Sequence, residues 1–421
     1  METALNSAVR KVGWRFMPLL LTGFVLSYMD RNSIGFAGLT MNKDLGMTAS
    51  QFGLAAGIFF ISYSLCEVPS NVIQYRIGAR LWLSRIMITW GIASAATAFV
   101  VGPKSFYAAR FILGIAEAGF FPGVAYFLAA WFPERQRTRM YGWLLLGIPL
   151  SSVIAGPICS LLLQLDGLFG IAGWKWMFVF VSLPCSVLGL VGLKVLRDNP
   201  SQADFLTDEE REALQAEILA EQKTRDKKSL LGALRDPRVL ILAATHFGFT
   251  LGSYAITIWL PQIIKEFHLT NLAVGFTSSV PYIVSSLAML VWCWWVDRKG
   301  KTILNIVVGC ALAAGGLWWA VVSTHSLVMS LTAITVGLVG VVSARALLWS
   351  LPSKFLTGLA ASGGIAFINT VGTTGGFVGP YMMGVVKDAT GSFQTGIAVL
   401  ACILMFSGVC ALSLKLFIKD D

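Results

Sequence analysis

Apolar runs long enough to cross about 30 Å of hydrocarbon recur along the whole of this chain. Such a succession cannot fold as a soluble globule, and 56% hydrophobic residues against 13% charged fits a membrane setting. The expected fold is all-α and membrane-spanning, with twelve transmembrane helices over 15–37, 50–73, 82–101, 105–130, 140–163, 175–196, 238–264, 272–296, 302–322, 326–350, 359–386 and 393–416. The N-terminus, Met1 to Lys11, is short and polar without a signal-peptide core, so the first helix is expected to stay as an anchor.

The net charge of +10 could point to nucleic acid, but the cations sit in short loops between apolar segments, so no nucleic-acid partner is expected. Of 32 Lys and Arg, 24 fall on one side of the expected topology, 5 on the other and 3 within spans. By the positive-inside rule both termini are then cytoplasmic, with membrane lipid as the surrounding partner. The seven cysteines all lie in expected spans without CxxC or Cys/His spacing, which suggests small packing residues and neither disulfides nor metal ligands. No cofactor is expected.

One long polar stretch divides the chain into 1–196, a cytoplasmic linker at 197–237, and 238–421. Thr207-Asp208-Glu209-Glu210 is a capping-box pattern that predicts a short linker helix. Gly156-Pro157 recurs as Gly379-Pro380, Asp166 as Asp388 and Gly78 as Gly300, at offsets of 222 or 223. A shared offset argues for two parallel-repeat six-helix bundles, with a site between them near midplane and transport by rocking.

Charges inside the spans are the candidates for function, because hydrocarbon tolerates them only beside a partner or a watery cavity. Asp30, Glu67 and Glu117 face Arg31, Arg110 and Arg345 in this inventory. Adjacent Asp30 and Arg31 must point in different directions, whereas Arg110 and Glu117, seven residues apart, share a helix face at about 10 Å. Arg31 is expected to offer its guanidinium fork to a substrate carboxylate, with Asp30 pairing to Arg110. Glu117, on an apolar stretch, is the first choice for the proton carrier and Asp30 the second. Glu67, near the cytoplasmic end of its span beside Pro69 and Asn71, is expected to act as a gate or packing contact. Structural ion pairing is the competing role for each of these groups. Asn369 sits in a Gly-rich helix where an amide can reach inward. Arg345, one turn from Trp349, could take a second carboxylate or simply snorkel near the helix end.

His268 and His325 fall in outer loops, and His246 is expected to be satisfied packing. Trp14, Trp131, Trp143, Trp174 and Trp176 lie near span ends, as interfacial aromatics do.

Several segments carry a family signature. Asp297-Arg298-Lys299-Gly300-Lys301 looks like the loop motif of the major facilitator superfamily, while its counterpart at Arg76-Ile77-Gly78-Ala79-Arg80 lacks the aspartate. Tyr28-Met29-Asp30-Arg31-Asn32, Glu67-Val68-Pro69-Ser70-Asn71, the run from Ala109 to Gly123, Gly173 to Phe178, Trp349-Ser350-Leu351-Pro352 and Asn369 to Pro380 resemble its anion:cation symporter family, in particular bacterial tartrate-type and 4-hydroxyphenylacetate-type permeases. The resemblance implies a major facilitator fold and proton-linked movement of organic anions such as sugar acids, dicarboxylates or aromatic acids. It also implies a bacterial inner (plasma) membrane, makes Tyr28 and Tyr63 candidate hydroxyl donors to substrate with packing as the equal alternative, and assigns Asp297 and Arg298 a gate or structural role. Where relatives read Glu-Gly-x-Pro this chain ends in Ser182-Leu183-Pro184, and the missing acid is expected to have served an outer-loop or gating contact.

The expected function is therefore secondary transport of a small organic anion with protons by a monomer. A uniporter or exchanger without proton coupling is the alternative, and a non-transporting sensor the reading from a different class. An enzyme is not expected, because no nucleophile–base set, metal cluster or phosphate loop stands out.

Overall fold

A computed structural model of the chain describes residues 2–223, 235–323, 325–356 and 358–418. Arg225, Lys227, Lys228 and Lys419, counted in the charge bias, lie outside the described residues. The architecture is all-helical, as lipid demands of a backbone whose polar groups must pair within their own segment. In the first half run α1 (Glu2–Asp44), α2 (Ala49–Ile77), α3 (Ala79–Ala95), α4 (Pro103–Glu117), α5 (Phe120–Trp131), α6 (Glu134–Leu145), α7 (Gly147–Leu163) and α8 (Gly173–Val195). The linker helix α9 (Asp208–Lys223) follows, then α10 (Pro237–Lys265), α11 (Asn271–Lys299), α12 (Thr302–Val322), α13 (Leu327–Leu348), α14 (Gly358–Thr390) and α15 (Phe393–Ser413).

Ten segments among the described residues are long and apolar enough to cross a membrane. The other two expected spans are α3, which is short and continues as a 3-10 turn to Phe99, and the Gly-rich α14. Two spans differ from expectation. The fourth is broken into α4 and α5, and the fifth starts at Glu134 as α6 and passes through Leu146 into α7. The first helix continues well beyond its expected span at both ends, 43 residues in all.

Helix starts follow the sequence signals. Thr48 and Gln51 close a capping box on α2, Asp236 caps α10 ahead of Pro237, and Thr270, Ser326 and Ser392 cap α11, α13 and α15. The repeated Gly78 and Gly300 both end a helix with positive φ, 101° and 70°, where a side chain would be strained.

The two halves meet at the end of the bundle opposite the Lys- and Arg-rich loops. There α2 packs on α14, α1 on α10 and α7 on α11 through glycine. A Cβ on Gly156 would lie 2.3 Å from the Gly275 carbonyl, and one on Gly53 would lie 2.4 Å from that of Pro380. Backbones can approach so closely only because those side chains are absent. Trp259 Nε1 donates to Pro380 O at 3.0 Å, and Ser279 Oγ to Val153 O at 2.8 Å. Asp388 of α14 accepts from the backbone N–H groups of Ala49 and Ser50 at 3.0 and 2.8 Å, so one half caps the α2 N-terminus of the other. Its repeat counterpart, Asp166, caps α8 within its own half through Gly173 N at 2.8 Å.

At the basic end α9 is fastened to the first half. Thr207 and Glu210 form the expected capping box, and Glu210 also takes Lys11 Nζ at 2.8 Å and Ser7 Oγ at 2.7 Å. Phe205 stacks on Trp131 with the Arg15 guanidinium 4.5 Å above it. Trp131 and Trp174 are therefore not interfacial. Both are buried, with Nε1 donating to Arg197 O and to Asp44, whereas Trp14 and Trp143 are exposed. Span ends attract Trp for internal closure as well as for lipid.

Two outcomes follow. Replacing Asp388 with Ala removes the inter-half cap and should lower the apparent stability of the purified protein by about 1 kcal/mol, read by thermal unfolding. The Lys11 ammonium, with the Thr207 and Ser7 bonds, holds the Glu210 carboxyl down at about 2. A depressed folded value stabilises above the ordinary carboxylate range of about 4.3 and is lost as pH falls toward 2. Protease cleavage of the linker should therefore rise below about pH 4 in the wild type, and E210Q should show the raised cleavage already at neutral pH.

Candidate substrate site between the two halves

The site is built around the break in the fourth span. Helix α4 ends at Glu117, Ala118 turns to extended backbone (φ −54°, ψ 131°), Gly119 is left-handed (φ 87°), and α5 restarts at Phe120. An interrupted helix leaves backbone groups that must be paired when water is absent. Ser70 Oγ donates to Ala118 O at 2.7 Å and receives Trp82 Nε1 at 3.0 Å, while Gln74 Nε2 donates to Gly123 O at 2.9 Å. Ser70 thus takes up the carbonyl that the break leaves unpaired, and Gln74, one turn on along α2, ties the restarted α5 to the same helix.

At that break stands a fully buried carboxylate, Glu117, 0% exposed. Its Oε1 accepts from Arg31 Nε at 2.9 Å, Arg31 Nη2 at 2.7 Å and Ser27 Oγ at 2.7 Å. Its Oε2 is buried with no hydrogen-bond partner among the described residues. The Arg31 guanidinium is boxed by the rings of Tyr63, Phe59 and Tyr28 at 4.9, 5.1 and 5.2 Å. Its Nη1 reaches the Tyr254 hydroxyl of α10 at 3.4 Å, so the pair touches the other half. The Tyr254 ring in turn packs edge-on against Phe60.

Asp30 does not pair with Arg110. It is 1% exposed and turned away, toward α3 and α8. Its carboxylate receives Trp90 Nε1 at 3.1 Å, Ser94 Oγ at 2.5 Å and Ser182 Oγ at 3.2 Å. Adjacent residues on a helix diverge by about 100°, which sends Arg31 into the inter-half space and Asp30 into its own bundle. Ser182 is accordingly deep in the bundle beside Asp30 and not in an outer loop. Aligned on Pro184, the absent acid falls at Val181, which is buried too.

Arg110 is the group this leaves over. It is 2% exposed, its Nε has no hydrogen-bond partner, and it forms no ion pair among the described residues. Its guanidinium lies 5.0 Å over the Phe59 ring, the same ring that faces Arg31. Both cations therefore flank one aromatic side chain, with Asp30 and Glu117 close enough to act on Arg110 through space.

Glu67 is buried on α2 within electrostatic reach of Arg31 and Tyr63. Asn369 is half-buried on α14, with its amide unbonded among the described residues. Asp297 and Arg298 are exposed at the basic end, Arg298 over Trp294, away from this constellation. His246 is buried as expected, but its Nδ1 is unsatisfied.

Sequence reasoning missed Ser27, Phe59, Ser70, Trp90, Ser94 and Tyr254. Trp90 and Ser94 were discoverable, since polar side chains four apart in an apolar helix share one face and need a common partner.

Residues 20–380 match the family model described as Major Facilitator Superfamily. A protein of Agrobacterium vitis named "Putative tartrate transporter" is 46% identical over 408 residues, covering 96% of this chain and 91% of that one. A "Quinolone resistance transporter" of Acinetobacter baumannii is 40% identical over 410 residues, covering 95% and 93%. In fold, the chain is similar to the crystal structure of a bacterial homolog of the human lysosomal transporter Spinster, with a TM-score of 0.80 over 96% of each chain at 13% identity.

Gly119 offers a direct check on the broken helix. A Cβ there would meet Ser70 Oγ at 2.3 Å on a left-handed backbone. G119A should destabilise the purified protein by roughly 1–3 kcal/mol in thermal unfolding, more than alanine at the unhindered Gly142.

Proposed function

Because the chain belongs to the major facilitator superfamily, and is a multi-pass membrane transporter and not an enzyme, we propose that it carries a small organic anion together with protons by alternating access. The names of the two relatives point to different cargo, so the cargo is argued here from charge. Arg110 is the observation that carries it: a buried guanidinium without an anionic partner costs several kcal/mol, and a substrate carboxylate would offset that cost.

Arg31 is held in reserve by Glu117. An anion entering between Arg110 and Arg31 competes with Glu117 for the Arg31 fork. A proton added to the open Oε2 of Glu117 would weaken the bridge, release Arg31 and remove the repulsion between two carboxylates. Anion and proton then favour each other's binding, which is the linkage symport requires. Asp30, already supplied with three donors, serves as fixed countercharge and not as the carrier. Tyr28, Tyr63 and Asn369 line the same space with hydroxyl and amide groups, and Glu67 lies on the exit path at the inner end of α2.

With the basic loops inside, the glycine-packed seam faces outward and both termini are cytoplasmic, in a bacterium whose inner membrane holds the chain as a monomer. Moving an anion inward opposes a negative-inside potential by about 2.3 kcal/mol per charge per 100 mV, which co-transported protons offset.

Uptake of labelled tartrate into proteoliposomes, with and without an imposed pH gradient, tests this. R110A should lower uptake about tenfold to a hundredfold, the equivalent of one lost charge-assisted contact. E117Q should abolish gradient-driven accumulation yet retain tartrate exchange. Wild-type accumulation indifferent to the gradient would establish exchange or uniport instead.

A further inference from the structure

The other half carries a cation of its own within a membrane-spanning helix. Arg345 lies in the last turn of α13, half-buried, and makes no hydrogen bond or ion pair among the described residues. One turn further on, the Trp349 ring stands edge-on to the His246 ring of α10 at 4.9 Å and 69°. His246 is 6% exposed and pinned from behind by α14, where a Cβ on Gly372 would meet its Cδ2 at 2.0 Å. Its Nδ1 is buried without a partner, and the Thr250 hydroxyl satisfies only its backbone carbonyl.

Nothing in this half can neutralise the pair. Of its described carboxylates, Asp236 is bonded to Arg238, Glu266 to Lys387, Asp388 to the α2 N-terminus, and Asp297 is exposed in the last turn of α11. Arg345 also acts through space on both His246 and Tyr28, and Tyr28 stacks on Arg31. Arg345 therefore lies within electrostatic reach of both His246 in its own bundle and Tyr28 beside Arg31 in the other.

We infer that Arg345 and His246 form a second anion subsite that receives the far carboxylate of a short dicarboxylate, while Arg110 and Arg31 hold the near one. This rests on the anion reading above and narrows it to dianions. Arg345 supplies the charged fork, His246 Nδ1 a single directed bond, and Trp349 the wall that fixes the imidazole. A ligand anchored to both halves also draws them together at the open end, which closes the site around a dicarboxylate and leaves a monocarboxylate tied to one half alone.

Tartrate and its monoamide, tartramate, share one skeleton and differ in the second charge. Binding of each to the full-length purified protein is to be measured by calorimetry, alongside uptake. Wild type should prefer tartrate by tenfold or more. R345Q should weaken tartrate at least tenfold and leave tartramate within twofold, and H246Q should do the same to a smaller degree. R345K, which keeps charge and fold but loses the fork, should fall between wild type and R345Q and serves if R345Q does not fold. Equal loss of both probes in R345Q or R345K, or no loss of either, overturns the subsite, as does a wild type that binds neither. Failure of the anion reading itself is seen elsewhere, as wild-type transport that R110A leaves intact.

Discussion

The bridge between Arg31 and Glu117 is what the rest of the molecule is arranged to permit. A carboxylate with no exposure can remain in a bilayer only beside a cation, and here three donors crowd one oxygen while the other has none. The pair is therefore stable enough to persist and incomplete enough to change. Its position at the end of α4 follows from the break at Ala118 and Gly119, and Ser70 of α2 takes up the Ala118 carbonyl that lipid could not. The Glu67-Val68-Pro69-Ser70-Asn71 segment thus acts on the site through the backbone of its neighbour.

The two ends of the bundle are held by different physics. At the seam, glycines bring helices from opposite halves to backbone contact, and the α2 N-terminus finds its carboxylate in Asp388. Such contacts are short-ranged and many, so they form or separate together, as a rocking motion requires. At the basic end, the linker helix is clasped to the first half by Glu210, Lys11 and Phe205. That clasp ties the described part of the linker to the first half.

Charges divide between the halves in a way that suits an anionic passenger. The first half keeps Asp30 satisfied by Trp90, Ser94 and Ser182, so its field falls on Arg110 without a contact. The second half contributes Arg345, which forms no ion pair among the described residues. On the proposed reading, an anion between the halves would complete this set of charges.

The membrane class, the linker-helix cap at Thr207 and the intramembrane charges were legible in the sequence, because each depends on a local run of residues or on the exclusion of charge from hydrocarbon. Local rules also said that Asp30 and Arg31 must diverge. Which partner each found was not legible: Asp30 went to α3 and α8 and Arg31 to Glu117, since partner choice depends on how helices distant in sequence are rotated about their axes. Nor could periodicity show the break after Glu117, because Ala-Gly is tolerated in many unbroken helices and the hydroxyl that takes up the freed carbonyl, Ser70, comes from another helix. Sequence alone determined that a few ionised groups had to be housed inside a twelve-helix membrane protein. Tertiary structure alone decided that Glu117 would hold Arg31 and that Arg110 would be left without an anion, because pairing energy in a low-dielectric interior falls off within a few ångströms and only the packing of helices sets those distances.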